Sequence, residues 1–175
     1  LSAFDALLKE TGDRTISTTM AFVRVLNTLL RDIVSVYETT AKPGDPTVAF
    51  EAGAEPQRVI GRDGPLGQVF RNLIDNARSF SPAGAAVRIT LSRDTIDPAR
   101  PVRVRIEDEG PGIPPENLET VFERFYTSRP KGAAFGANSG LGLSIVRQIV
   151  EAHGGRVWAE NRVENGRITG ARFEI

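Results

Sequence analysis

Three stretches of this sequence carry residue types and spacings suited to chemistry. In VRVRIEDEGPGIP, Asp108 falls in phase with Val102, Val104 and Ile106 on the apolar side of an alternating strand, where a carboxylate is costly unless it finds a donor. Gly110 and Gly112 follow at once, and glycines let backbone turn sharply or approach a ligand closely. A buried acceptor beside bare backbone suits a flat ligand with an exocyclic amine, such as adenine; the competing reading is an aspartate that opens a turn. In FRNLIDNARSF, Asn72 and Asn76 are four residues apart and share a helix face, on the shoulder of its apolar stripe. An amide oxygen there can ligate Mg²⁺ while nucleotide phosphates supply the charge; the plainer reading is two solvated side chains. In NSGLGLSIV, small residues open a helix, so free N–H groups and the positive dipole end face whatever binds, which makes a phosphate cradle rather than only a flexible entry. Arg129 and Lys131, on the loop before it, are placed to fold over phosphates as a lid.

These residues need a frame. From Val25 to Tyr37 apolar residues recur at helical spacing, and Pro43-Gly44 ends the run. TVAFEAG and RVIG are short strand candidates around a polar turn. Asp63 is placed to cap a helix whose apolar positions are Leu66, Val69, Phe70, Leu73, Ile74 and Ala77, closing before Pro82. AVRITLSR and PVRVRIEDEG alternate, and the loop DTIDPARP between them predicts an antiparallel pair. A glycine- and proline-rich turn from Gly110 to Pro115 leads to LETVFERF and then to YTSRPKGAAFGANS, a loop long enough to be functional or mobile. A last helix runs from about Gly142 to His153, with Ile145, Val146, Ile149 and Val150 facing the core and Gly154-Gly155 as its stop. RVWAEN and TGARFEI then close the chain as a hairpin. One-faced strands with irregularly interleaved helices predict an α+β two-layer sandwich, a mainly antiparallel mixed sheet with helices on one face. Residues 20–175 are expected to form that domain, and residues 1–19 a linker or the end of a preceding helix.

The totals narrow the functions. A chain of 175 residues fits one domain able to bury a core without disulfides or a structural metal. Lysine and arginine, 22 together, balance 22 acidic residues, so no overall field draws the chain to nucleic acid or an anionic membrane and any anion site must be local. With no cysteine and one histidine, thiolate catalysis, cysteine-ligated zinc and histidine-rich metal sites fall away. No apolar run approaches a membrane span, and LSAFDALLKETGD lacks the pattern of a signal peptide, so this segment is expected to be soluble.

Together the segments resemble the catalytic ATP-binding domain of sensor histidine kinases, within the ATPase superfamily of gyrase, Hsp90 and MutL and its Bergerat ATP-binding fold. FRNLIDNARSF is similar to that family's N box, DEGPGIP to its first glycine box, FERFY to its F box and SGLGLSIVRQIVEAHGG to its second glycine box, all in the family's order. The resemblance covers about residues 58 to 175 and extends weakly back to about residue 20. The wording FYTSRPKGAAFGANSGLGLS looks closest to the ChvG-like envelope-sensing kinases of alphaproteobacteria. The resemblance implies ATP and Mg²⁺ as ligands, with Asp108 accepting from the adenine amine and Gly110, Gly112 and Ile113 in the base pocket. It implies that Asn76 holds Mg²⁺, that Asn72 positions the phosphates, and that Gly140, Leu141, Gly142 and Leu143 lie against them, the two glycines through backbone N–H groups. Phe122 and Tyr126 count among the nucleotide-binding residues, and the segment they bound hinges a lid carrying Arg129 and Lys131. Departures matter as well. Ser79 and Phe80 stand where the N box often continues with lysine and an aromatic, which leaves Arg78, Arg129 or Lys131 as the phosphate-contacting cation. Thr127 replaces the arginine after the F box, favouring Arg129, and Asn138 stands where the lid often has glycine.

A kinase of this family moves a phosphoryl group to a histidine on a helix beside an acidic residue, and no such segment occurs here. His153 follows the cradle by about 13 residues, roughly 20 Å along a helix, and precedes two glycines, so it reads as a packing and C-terminal capping residue. The resemblance therefore implies donation to a histidine on a dimerisation and phosphoacceptor domain of the same kinase, with a response regulator further on. It implies the cytoplasmic domain of an inner-membrane sensor, truncated upstream, monomeric alone and homodimeric in the whole protein, with no nucleic-acid or membrane contact by this segment. Three other readings compete. An ATP hydrolase of the gyrase or Hsp90 type is weakened because Asn72 stands where those relatives keep a water-activating glutamate. An anti-sigma serine kinase is weakened by FERFY and the long lid, and a partner-binding module without catalysis is opposed by the intact boxes but favoured by Ser79 and Thr127.

Overall fold

The structure, a computed structural model, describes residues 22–96, 98–99, 101–126 and 140–175. The expectations for residues 1–19 and for Thr127, Arg129, Lys131 and Asn138 lie outside the described residues. In chain order the elements are β1 (Phe22–Val25), α1 (Leu26–Thr40), β2 (Thr47–Ala52), β3 (Arg58–Gly61), α2 (Asp63–Phe80), β4 (Ala86–Arg93) and β5 (Val102–Glu107). Two single 3-10 turns follow, Pro115–Asn117 and Thr120–Phe122, then α3 (Gly142–Ala152), β6 (Trp158–Glu164) and β7 (Arg167–Glu174).

Five strands form one sheet in the order β2-β4-β5-β7-β6, and β1 pairs with β3 in a separate ribbon. Only β2 and β4 run parallel within the larger sheet; the other pairings are antiparallel, which is the mixed sheet the alternation predicts. Alternation then dictates the core: Val87, Ile89 and Leu91 of β4, Val104 and Ile106 of β5 and Phe173 of β7 all point to one side. Against them α1 brings Leu26, Leu30, Ile33 and Val34, and α2 brings Leu66, Val69, Phe70, Leu73, Ile74 and Ala77. On the other side, β5 and β7 exchange charge: Glu174 accepts from Arg103 and Arg105, and Arg172 donates to Glu107 at 2.8 Å. Opposite charges on neighbouring strands support this face, where Glu107 and Glu174 are themselves buried.

Two local expectations need correction, on Asp63 and Ile145, and two segments left open gain an assignment. Asp63 is the first residue of α2 rather than its cap; Arg62 holds the cap position without a side-chain bond, and Asp63 pairs with Arg24 of β1 at 2.7 Å. Its carboxylate still lies in the first turn, where it complements the helix dipole. TVAFEAG and RVIG form strands, but not with each other: β2 joins the main sheet and β3 the ribbon. A parallel β2–β4 pair requires a long crossover, and β3 with α2 supplies it. LETVFERF contains only the second 3-10 turn, which buries Val121 and Phe122. On α3, Val146 and Val150 are buried and Ile149 packs against the core, whereas Ile145 is half-buried outside it.

Leu73 has no exposure at all and lies between the sheet and the other helices. Leu73→Ala is expected to lower unfolding free energy by about 2–5 kcal/mol, the cost of a lost side chain plus an unfilled cavity, as read from urea denaturation.

Candidate functional site

The site is assembled from one end of the sheet, where β5 finishes beside β7 and β6, and from two helices. Asp108 sits just past β5 and is only 2 % exposed. Its Oδ1 accepts two backbone N–H groups, from Gly110 and from Ala171, each at 2.9 Å. Both bonds fall on the same oxygen, and among the described residues Oδ2 accepts none, so one carboxylate oxygen is left for a ligand. Burial pushes the Asp108 carboxyl above the usual carboxylate range; the N–H groups of Ala171 and Gly110 and the charge of Arg162 oppose that shift without cancelling it.

The glycines beside Asp108 are there for room. A Cβ on Gly110 would lie 2.8 Å from the Phe80 carbonyl at the end of α2. Gly112 has φ +78°, and a Cβ there would lie 2.3 Å from Ile168 Cγ2 and 2.7 Å from Asn161 Oδ1. Asn161 of β6 grips the next residue along both edges: it accepts from the Ile113 N–H and donates to the Ile113 carbonyl, both at 2.7 Å. Ile113 is thereby fixed at the rim of the first glycine box.

Asn72 and Asn76 are half-buried on α2, flanked by fully buried neighbours, as the shoulder position requires. Asn72 Nδ2 donates to the Gly142 carbonyl at 3.2 Å, tying α2 to the start of α3. The Asn76 side chain makes no hydrogen bond among the described residues, which leaves its amide oxygen for a ligand. The first turn of α3 has neither a capping side chain nor an acidic residue, so its N–H groups and positive dipole end are not neutralised. Gly142 passes Asn72 with only ordinary contact, 3.9 Å from a built Cβ to Asn72 Cγ, and Leu141 and Leu143 beside it are half-buried.

Gly140 has φ +69°, and a Cβ on it would lie 2.9 Å from both Phe125 Cα and the Tyr126 carbonyl oxygen. The Phe125 N–H donates to the Gly140 carbonyl at 2.9 Å, so the two ends of the segment 127–139 are stapled together. Phe125 itself has φ 65° and is exposed, a strained position for a side-chain-bearing residue. Phe122 is 3 % exposed, edge-on to Phe173 with centroids 6.1 Å apart and under the Arg147 guanidinium, so its ring is packed into the core just before this segment. Tyr126 is half-buried against the same core.

Of the three candidate phosphate cations, Arg78 alone lies among the described residues. Arg78 donates to Asp45 at 3.1 Å and lies over the Tyr37 ring, 5.2 Å from its centroid. It sits across the helix from Asn76 and ties the turn before β2 to α2; Arg129 and Lys131 lie outside the described residues. His153 occupies the C-cap of α3, with Nδ1 2.7 Å from the Ile149 carbonyl, in the capping role its position predicts.

Four contributors escaped the sequence reading: Asn161, Arg162, Gly170 and Ala171. Arg162 donates to the Asp108 carbonyl at 2.8 Å, and a Cβ on Gly170 would lie 2.0 Å from that carbonyl oxygen. A glycine inside the alternating TGARFEI was the legible signal, because such a residue marks close backbone approach.

Residues 61–175 match the model of the histidine kinase-, DNA gyrase B-, and HSP90-like ATPase family. The chain is 54% identical over 121 residues to the sensor protein ChvG of Rhizobium meliloti (strain 1021), covering 67% of this chain and 20% of that one. The solved mycobacterial sensor histidine kinase MprB superposes with a TM-score of 0.69 at 32% identity, over 88% of this chain and 94% of that chain. The histidine kinase ThkA, solved in complex with the response regulator protein TrrA, gives a TM-score of 0.68 at 29% identity over 87% and 40%. The chain spans about a fifth of the length of the curated ChvG relative it matches.

Three outcomes follow from this geometry. A carboxyl above its pKa is charged and can accept an amine hydrogen through Oδ2; below it the oxygen is neutral and accepts poorly. Adenosine, which carries no titrating phosphate, should therefore bind more weakly as pH falls through the raised Asp108 range, as followed by NMR titration. The fold responds with the opposite sign: a raised pKa means the folded state holds the proton more tightly, so Asp108's contribution to stability declines as pH rises through the same window. Gly170→Ala should force the backbone at Asp108 apart, costing about 1–3 kcal/mol by urea denaturation and weakening adenosine binding with it.

Proposed function

The chain belongs to the histidine kinase-, DNA gyrase B-, and HSP90-like ATPase family, and from that premise we propose that it binds Mg·ATP and presents the γ-phosphoryl group to a histidine on a separate dimerisation and phosphoacceptor domain. One observation carries the reading: a buried aspartate whose first oxygen is saturated by two backbone N–H groups and whose second is open. That arrangement is an acceptor aimed at an amine, and adenine supplies one.

Each residue then takes a role its surroundings support. Gly110, Gly112 and Ile113 shape the base pocket, with Asn161 holding Ile113 in place. Asn76, whose amide oxygen is uncommitted, would hold Mg²⁺; the ion supplies charge neutralisation at the phosphates when bound. The uncapped first turn of α3, from Gly142 and Leu143, receives the phosphates through N–H groups, and Gly140 and Leu141 lead into it. Asn72 fixes the distance between magnesium ligand and cradle by bonding the Gly142 carbonyl. Arg129, with Lys131, is the cation that closes over the γ-phosphate.

Hydrolysis is disfavoured by the same residue. An amide at Asn72, already donating to Gly142, takes no proton from water, so the phosphoryl group survives until an acceptor arrives. The acceptor is not His153, which is committed to the far end of α3, and no other histidine exists in the chain. Phosphorus then bonds to an imidazole nitrogen as its bond to the bridging oxygen breaks and ADP departs. A response regulator as the next acceptor fits the complex solved for ThkA. No helix among the described residues is long and apolar enough to cross a membrane. We place the domain on the cytoplasmic side of an inner-membrane sensor, where ATP is available, monomeric by itself and paired in the whole protein.

With γ-labelled ATP and Mg²⁺, the chain alone should stay unlabelled, while adding the acceptor helices of its own kinase should yield an acid-labile phosphohistidine on the added polypeptide. Asn76→Ala should slow that transfer by roughly tenfold or more. Strong self-labelling, or rapid phosphate release without the acceptor, contradicts the proposal.

A further inference from the structure

A second cavity lies at the other end of the helices that build the nucleotide site. Its volume is about 420 Å³, within the range of small-molecule pockets. Leu26, Leu66, Phe70, Val104 and Val150 supply apolar walls, and the single tryptophan, Trp158, lines it as well. None of Asn72, Asn76, Asp108, Gly110, Gly112, Gly140 or Gly142 takes part, so the two sites do not overlap.

Among the described residues the charge around this cavity is unbalanced: Arg58, Arg103 and Arg156 line it against one carboxylate side chain, Asp94. Arg103 is committed, bonded to Asp94 and to Glu174. Arg58 and Arg156 are exposed and make no ion pair among the described residues; Arg156 lies over the Trp158 ring, 5.7 Å from its centroid, as Arg103 does at 5.4 Å. His153 adds a ring nitrogen, since Nδ1 is held by the Ile149 carbonyl and Nε2 makes no hydrogen bond among the described residues. Ile60, 66 % exposed, extends the apolar surface outward.

An apolar chamber under two unpaired guanidinium groups selects for a particular chemistry. We propose that this cavity is a second ligand site, distinct from the nucleotide site, that takes a small amphiphilic anion: an apolar body inside and a carboxylate or like group toward Arg58 and Arg156. A neutral body of the same shape gains the apolar burial but leaves the arginines unanswered, and a bare anion gains the charge but leaves the chamber empty.

Octanoate and 1-octanol, equal in chain length and different in head-group charge, test this on the full chain. Trp158 is the sole tryptophan, so its emission reports occupancy directly. Octanoate should shift that emission saturably and bind about tenfold more tightly than octanol, the worth of one charge-assisted hydrogen bond. Saturating nucleotide should not displace it. Arg156→Glu and, separately, Arg58→Glu should each erase the preference for octanoate while leaving thermal unfolding and nucleotide binding unchanged. Equal affinity for the two probes, no saturable shift, displacement by nucleotide, or an unaltered preference in both variants would overturn the proposal.

Discussion

The site depends on a single carboxylate held out of water. Asp108 costs stability where it stands, because burial disfavours its charged form, and the chain offsets that cost by bringing two backbone N–H groups to one oxygen. Those donors come from a local turn and from a strand 63 residues away. Satisfying Asp108 therefore requires that β7 already lie beside β5 and that Gly170 let the backbones meet. The aspartate is a test of correct folding as well as a ligand, and its remaining oxygen is in place before anything binds.

Comparable latches tie the other parts together. Asn72 sets α3 against α2 through a carbonyl rather than through apolar packing alone, and Asn161 clamps the turn that follows Asp108. Phe125 bonds Gly140, so the segment between them starts and ends at one point. Each latch pairs a side chain or amide with a backbone group of a distant element, which fixes position while leaving the ligand-facing atoms free. Preorganisation of this kind keeps the ordering cost out of the binding step.

Much of this was legible in the sequence because it is written locally. Periodicity alone placed α2 and its six core residues, the alternation of β4 and β5 and the inward phase of Asp108. The shoulder position of Asn72 and Asn76 followed from helical geometry, and so did the remoteness of His153 from the cradle. What escaped was written across the chain. Whether TVAFEAG pairs with RVIG or crosses to β4 depends on a register that neither strand encodes. Asn161 and Arg162 look like ordinary polar residues on an exposed hairpin until β6 is laid beside β7 and the glycine box. The burial of Phe122 is hidden for a related reason: it packs edge-on against Phe173, more than 50 residues later, a partner its own segment does not announce.

If the open oxygen of Asp108 is what selects the ligand, the base should matter more than the phosphates in distinguishing nucleotides. Calorimetry with ATP and with inosine triphosphate, whose purine carries a carbonyl oxygen where ATP carries the amine, measures this directly. The predicted result is that ATP binds about 10- to 100-fold more tightly to the native chain, as expected for a hydrogen bond to a charged acceptor, and that Asp108→Asn removes the difference. Equal affinity of the native chain for the two nucleotides, or no heat with ATP, would contradict the account.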